Sequence, residues 1–161
     1  MLLLKILFHL QAAVLMMFYR LVYQFGGGRF ATEKNVTFRK GFSLMIDKGA
    51  EVIIGNHVFF NNYCSLNALQ HISIGDGTIF GENVKVYDHN HCYKNPSIPI
   101  KKQGFTTAPV KIGKHCWIAS NVVILKGVTI GDNCVIGAGC IVYKDVPANT
   151  VMVNKQEQIL K

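Results

Sequence analysis

Acidic residues are scarce in this chain: nine Asp and Glu stand against seventeen Lys and Arg in 161 residues, and only 16% of positions are charged. The basic excess is uneven, since residues 92–161 hold nine Lys against Asp132, Asp145 and Glu157, a balance of +6 out of +8. The basic residues stand singly among short apolar segments, with no basic helix and no aromatic stacking motif. That sets nucleic acid aside in favour of a phosphate-bearing cofactor or an anionic membrane surface. Cysteine lacks a pattern: five residues, an odd number with no CxxC pair, speak against a disulfide framework or a zinc knuckle and for a reducing compartment. Long hydrophobic runs are missing too. Residues 1–25 are helical in composition and stop at Gly26-Gly27-Gly28, but Lys5, His9, Gln11 and Arg20 break them up below the roughly 18–20 apolar residues of a membrane span. No small-x-small cleavage site follows them, so they do not read as a signal peptide. Two expectations stand: a helix packed on the rest of the fold or on a neighbouring subunit, or an interfacial anchor with Lys5, Arg20 and Arg29 at lipid head groups.

What is present is a repeat. Half of the residues are hydrophobic, enough for one sizeable core in a chain of single-domain length. Reading by sixes from Ile54 gives IGNHVF, FNNYCS and LNALQH, then IGDGTI, FGENVK and VYDHNH. After a gap come IGKHCW, IASNVV, ILKGVT, IGDNCV, IGAGCI and VYKDVP. The first position is aliphatic or Phe in all twelve, and the fifth is small or β-branched in ten, four times as Cys (64, 116, 134, 140). Neither a 3.6-residue nor a two-residue period explains this pattern. A coil of short strands does: each hexad makes one side of a triangular prism, the first residue points to the axis, the small fifth residue fills the corner, and Gly at the second position relieves the turn. Eighteen residues make one coil, stacked at the roughly 4.8 Å spacing of parallel strands. The phase slips by two at Ile72-Ser73 and again across 92–111.

The stretch IGKHCWIASNVVILKGVTIGDNCVIGAGCIVYKDVPANT, with the hexads before it, resembles the hexapeptide-repeat acyltransferases over about residues 54–147. It is similar to the galactoside, maltose and xenobiotic acetyltransferases and the polysaccharide O-acetyltransferases. The resemblance implies an all-β fold: a single-stranded left-handed parallel β-helix of hexapeptide repeats with a short N-terminal α-helix and one protruding loop. The expected divisions are a helix over 1–25, a β-helix domain over 26–147 with a loop excursion at 92–109, and a tail over 148–161. Residues 26–53 are expected to form an irregular first coil. The loop CYKNPSIPIKKQGFTTAP carries three prolines and leaves the prism at its most polar hexad, a placement that points to function.

Acetyl transfer from a thioester to a hydroxyl needs a base for the hydroxyl proton, donors for the oxyanion and a cradle for the CoA phosphates. Histidine suits the first task, because its unperturbed pKa near 6.5 lets it take and return a proton near neutrality. His57, His71 and His115 are read as solvated corner residues. His89 and His91, beside Asp88 at the mouth of the loop, are the candidates. The resemblance places the catalytic histidine at His91, six residues after Lys85. Asp88 could orient an imidazole or bind the acceptor, and His89 could contact the acceptor or a neighbouring subunit. Asn61 matches the position whose amide binds the acceptor hydroxyls, while the acidic residues of the galactoside enzyme have no match at Asn67, Ala68 and Leu69. The resemblance assigns Trp117, Ala119, Ser120, Ala138, Tyr143 and Lys144 to the CoA groove, with Lys126 or Lys114 helping at the phosphates. No metal is expected.

The activity implied is that of an acetyl-CoA-dependent O-acetyltransferase acting on a sugar hydroxyl, in bacterial surface polysaccharide or glycoconjugate biosynthesis. The implied assembly is a homotrimer in the cytoplasm, or peripheral on the inner membrane through residues 1–25. Rival readings are a serine O-acetyltransferase-like enzyme, a zinc-dependent γ-carbonic-anhydrase-like protein and an inactive β-helix scaffold.

Overall fold

The computed structural model describes residues 2–155. A helix, α1 (Leu2–Gly26), precedes a parallel β-helix. Its first coil is β1 (Arg29–Thr32), β2 (Thr37–Phe38) and β3 (Ser43–Ile46); its second is β4 (Glu51–Ile54), β5 (Phe59–Phe60) and β6 (Ser65–Ala68). The third coil is β7 (His71–Ile74), β8 (Ile79–Phe80) and β9 (Lys85–Tyr87). The chain then leaves as an antiparallel ribbon, β10 (His89–His91) against β11 (Phe105–Thr107), with a short 3-10 turn at Ile100–Lys102 between them. It resumes with β12 (Val110–Ile112), β13 (Trp117–Ile118) and β14 (Val123–Ile124), then β15 (Thr129–Ile130), β16 (Val135–Ile136) and β17 (Ile141–Val142), and ends on β18 (Val151–Met152).

Three flat faces result. Face one stacks β1-β4-β7-β12-β15, face two β2-β5-β8-β13-β16-β18, and face three β3-β6-β9-β14-β17. The first residue of each hexad does point inward: Ile54, Ile74, Ile112 and Ile130 stand in one buried column, Phe60, Phe80, Ile118 and Ile136 in a second, Leu66, Val86, Ile124 and Val142 in a third. Phe38, Phe42, Phe60 and Phe80 continue as a ring stack at centroid separations of 4.7, 4.9 and 4.5 Å. The small fifth residue also has a polar task. Cys64, Cys116 and Cys134 send their thiols to the carbonyls of Gly81, Gly131 and Pro147 in the next coil, each at 3.1 Å, and Thr78 does the same to Gly113 at 2.8 Å. Burial pushes the Cys64 and Cys116 thiols above their ordinary pKa.

Several expectations are corrected. Residues 26–53 are no irregular coil: β1, β2 and β3 pair in full register with β4, β5 and β6. Coil length is not uniformly eighteen. Leu44 pairs with Leu66, 22 residues on, and Leu66 with Val86, 20 on. From Ile112 to Ile130, Ile118 to Ile136 and Ile124 to Val142 the step is 18, and Ile136 to Met152 is 16. The two-residue phase slip is thus a longer coil, whose extra residues sit in the bend at Leu69-Gln70. The excursion starts at His89 rather than 92, and the prism runs on through Met152, beyond the expected boundary at 147. Nor does glycine at the second position relieve the turn. The left-handed corner sits at the fourth position, taken by His57, Tyr63, Asn83, His115, Asn121 and Asn133 with φ between 54 and 61° and by Gly77, Gly127 and Gly139 with φ of 67, 80 and 73°. Gly75 and Gly81 are required by close approach instead: a Cβ on them would lie 2.7 Å from Lys114 N and 2.6 Å from Ser120 N of the next coil.

α1 lies across the first coil. Ala12 is buried and Leu15, Met16, Tyr19 and Tyr23 pack on the core, an i, i+3, i+4 stripe. The Tyr19 hydroxyl donates to the Phe42 carbonyl at 3.3 Å; that of Tyr23 donates to Leu44 O at 2.7 Å and accepts from Ile46 N at 3.3 Å. Arg20 donates to the Thr32 carbonyl at 3.1 Å. These partners are the outward backbone groups of the edge strands.

Candidate active site

Two sets of sequence-chosen residues occupy two different edges of the prism. The first edge lies at the end of face three. Here Tyr87 closes β9, Asp88 turns the chain outward, and the ribbon carries His89 and His91 away from the prism. The chain returns at Ala108, whose N–H donates to the Asp88 carbonyl at 2.9 Å.

Asp88 is fully buried. Its Oδ1 accepts the Leu69 N–H at 2.8 Å, and its Oδ2 accepts those of Gln70 and His71 at 2.7 and 2.8 Å. The same carboxylate therefore caps the bend that lengthens the previous coil. Oδ1 also stands 3.1 Å from His89 Nδ1. A carboxylate oxygen can only accept, so Nδ1 is the donor in this contact. One of the two expected roles is corrected. Asp88 is closed to an acceptor molecule, because no part of its side chain is exposed. The imidazole it does orient is that of His89.

His91 is exposed and stands opposite Phe105 in the ribbon, the two rings 4.4 Å apart. The Phe105 ring also meets His89 edge-on at 5.3 Å. Phe105 thus fixes both imidazoles on one platform. Sequence reading passed over it, since it lay in an irregular loop; the aromatic and β-branched run Phe105-Thr106-Thr107 was the available signal. His71 is another correction. It opens β7 directly after the bend at Leu69-Gln70 and sits 3.2 Å from the Glu51 carboxylate, half-buried rather than solvated.

The second edge joins faces two and three. Asn61-Asn62, Gly81-Glu82, Ala119-Ser120 and Gly137-Ala138 stack along it, linked by the bonds Asn61 N to Phe80 O, Gly81 N to Ile118 O, Ala119 N to Ile136 O and Gly137 N to Met152 O. Asn61 so lies on the same edge as Ala119, Ser120 and Ala138. Its Oδ1 accepts the Asn62 N–H at 2.9 Å and Arg39 at 3.3 Å, which leaves its NH₂ to donate. Ser120 Oγ accepts the Glu82 N–H at 3.1 Å, and its own hydrogen remains available for donation. Small residues make this edge a shallow ledge, which suits an extended chain laid along backbone amides. Trp117 is half exposed beside it on face two.

Tyr143 and Lys144 fall on the first edge, below the ribbon, with the Lys144 ammonium 5.8 Å from the Tyr143 ring. Both border an open cavity of about 490 Å³ with Asp145, Val146, Thr150 and Met152. Lys114 is on the remaining edge, 3.9 Å from Asp76, and does not join this group. In one chain, face three separates the His91 edge from the Ala119–Ala138 ledge. Among the described residues no group of three or more His, Cys, Asp or Glu side chains is arranged to hold a metal.

Comparison with known proteins bears on the fold and the family. A family model described as bacterial transferase hexapeptide (six repeats) matches residues 109–144. The chain is 30% identical to the putative lipopolysaccharide biosynthesis O-acetyl transferase WbbJ of Escherichia coli, over 77% of this chain and 68% of that protein. It is 38% identical to the Escherichia coli galactoside O-acetyltransferase over 64% of this chain, and spans half of that protein's length. Among solved structures, galactoside acetyltransferase in complex with coenzyme A matches with a TM-score of 0.69 at 29% identity, covering 88% of this chain and 74% of that one. A hexapeptide-repeat containing acetyltransferase of Vibrio cholerae complexed with acetyl coenzyme A matches with a TM-score of 0.61 at 26% identity, covering 83% and 69%.

Proposed function

Because the chain belongs to the hexapeptide-repeat acyltransferase family, we propose that it moves an acetyl group from acetyl-CoA to a sugar hydroxyl, in the making of a bacterial surface polysaccharide or glycoconjugate. The observation that carries the reading is His91, an exposed imidazole held on Phe105 at the rim of the prism and free of any carboxylate partner among the described residues. The relatives' substrates support a sugar acceptor, since WbbJ is named for lipopolysaccharide and another relative for galactosides.

The steps follow from the groups present. The acceptor hydroxyl gives its proton to His91 as its oxygen attacks the thioester carbonyl. The C–S bond then breaks, and the CoA sulfur recovers the proton from the imidazolium, so His91 ends as it began. The Asn61 amide, able to donate, suits a polyol acceptor on the ledge. Ser120, Ala138 and their backbone amides are the groups for the pantetheine and the developing oxyanion, where a donor is worth about 3–4 kcal/mol in a dry site. Lys144 with Tyr143, and Lys126 nearby, are the cationic groups for the phosphates. Joining His91 to this ledge requires a neighbouring subunit, so the reading includes a cyclic homotrimer with its sites between subunits.

Thiol release from acetyl-CoA, measured against a panel of free sugars and lipid-linked oligosaccharides with mass detection of the product, tests the activity. His91→Ala is expected to lower turnover by about 10²–10⁴-fold while CoA binding survives. A variant keeping more than a tenth of wild-type turnover overturns the assignment of the base.

A further inference from the structure

The outward side of α1 is unusual. With Ala12, Leu15, Met16, Tyr19 and Tyr23 turned to the prism, the opposite stripe still consists of Leu7, Leu10, Val14, Met17, Phe18 and Phe25, exposed at 60, 65, 59, 61, 56 and 85%. Leu21, at 49%, continues it. These residues follow an i, i+3, i+7, i+10, i+11, i+18 spacing, so they share one side of the helix. An exposed apolar stripe of this length marks an interaction surface, because single surface hydrophobes are ordinary and contiguous ones are not. Leu7, Leu10, Gln11, Val14, Leu15 and Phe18 line a shallow open groove of about 670 Å³ on it, almost wholly apolar.

Charge identifies the occupant. No Asp or Glu precedes Glu33, while Arg20 and Arg29 stand along the helix and just past its end, and Lys34 and Lys48 are exposed on the coil beneath it. Arg29 shares its charge with Glu51, and Arg20 turns to the Thr32 backbone. The helix itself carries only positive charge, and residues 1–50 hold seven Lys and Arg against Glu33 and Asp47, so a second copy on the same face would bring one net cationic surface against another. No described helix is long and apolar enough to cross a membrane. An apolar stripe with cationic flanks, parallel to the surface it meets, fits the head-group region of an anionic bilayer.

We propose that the outer face of α1 is a docking surface for an anionic lipid bilayer, on which the helix lies flat with the prism standing away from the membrane. The proposal is independent of the acetyl-transfer reading, because it needs no activity to be tested. The geometry would set the acceptor site at a fixed height above the lipid.

The test is flotation of the full chain with vesicles of equal parts phosphatidylglycerol and phosphatidylcholine, and with phosphatidylcholine alone, beside the double variant Leu10→Glu/Phe18→Glu. Both substituted side chains are exposed, and an unchanged thermal melt in free solution confirms that the variant folds. The expected result is that the wild-type chain floats with the anionic vesicles, that raised salt returns much of it to the soluble fraction, and that the variant never rises above the lipid-free background. Wild type remaining soluble with anionic vesicles overturns the proposal, as does a variant that floats equally well. If light scattering shows that the variant alone loses an oligomer while neither form floats, the face belongs to a second copy and the bilayer is excluded. Acetyl transfer to a soluble acceptor, measured without vesicles, reports on the enzymatic reading separately.

Discussion

Asp88 illustrates how one side chain can be read two ways. Beside two histidines it looks like part of a catalytic pair, yet its oxygens hold the amides of Leu69, Gln70 and His71 and the ring of His89. Its first duty is to a longer coil. Replacement by Asn keeps the shape but turns an NH₂ toward backbone donors, and a hydrogen bond to a charged group is worth about 1.5–3 kcal/mol. Asp88→Asn is therefore expected to cost about 2–3 kcal/mol of stability, read as a lower urea midpoint at unchanged slope. It should also reduce kcat more than His57→Ala, since the corner that launches the ribbon moves with it. The histidines and Asp88 were visible in the sequence as a polar break in an apolar repeat. What the carboxylate holds was not, because its partners are backbone amides one coil earlier and have no signature in side-chain identity.

At the level of the coil, the hexad registers both the inward column and the corner, which is why the faces were legible from Ile54 onward. Coil length was less legible. A two-residue slip in phase can be a break in the repeat or a longer lap, and only the pairing of Leu44, Leu66 and Val86 decides for the lap. Residues 26–53 were misread because their first-position residues sit 22 apart rather than 18. Glycine was misread because two needs, a left-handed turn and a near neighbour, select the same residue. They separate by substitution. Gly75→Ala places a methyl group against the Gly113–Lys114 peptide, which is backbone and cannot swing aside. That overpacking is expected to cost about 1–3 kcal/mol. Gly49→Ala, at φ 80° but with open space around it, should be penalised through the backbone only. Thermal melts of the two variants check the ordering, Gly75→Ala falling further.

For the molecule as a whole, the sequence named residues on both edges but could not show that face three lies between them. That separation makes the oligomer a chemical requirement of the proposed reaction. A mixture of His91→Ala chains with chains bulked at the ledge, as in Ala138→Trp, is expected to regain part of the activity each lacks alone, since a mixed trimer contains some sites with both partners intact. Light scattering of the wild type should give three times the chain mass. Activity from a monomer would count decisively against the arrangement.

The tyrosine and arginine contacts of α1 with the first coil have one more consequence. A stack of parallel strands has no natural end: its last lap offers the same free carbonyls and amides that its own next lap would have used, and a strand edge left open in this way recruits other chains. Tyr19, Tyr23 and Arg20 occupy such groups on Phe42, Leu44, Ile46 and Thr32. With one terminus blocked, head-to-tail joining of prisms cannot propagate, because every added unit would need both a donor end and a receiving end. The helix therefore acts as a stopper against filament growth, and the solenoid stays a discrete object of five laps.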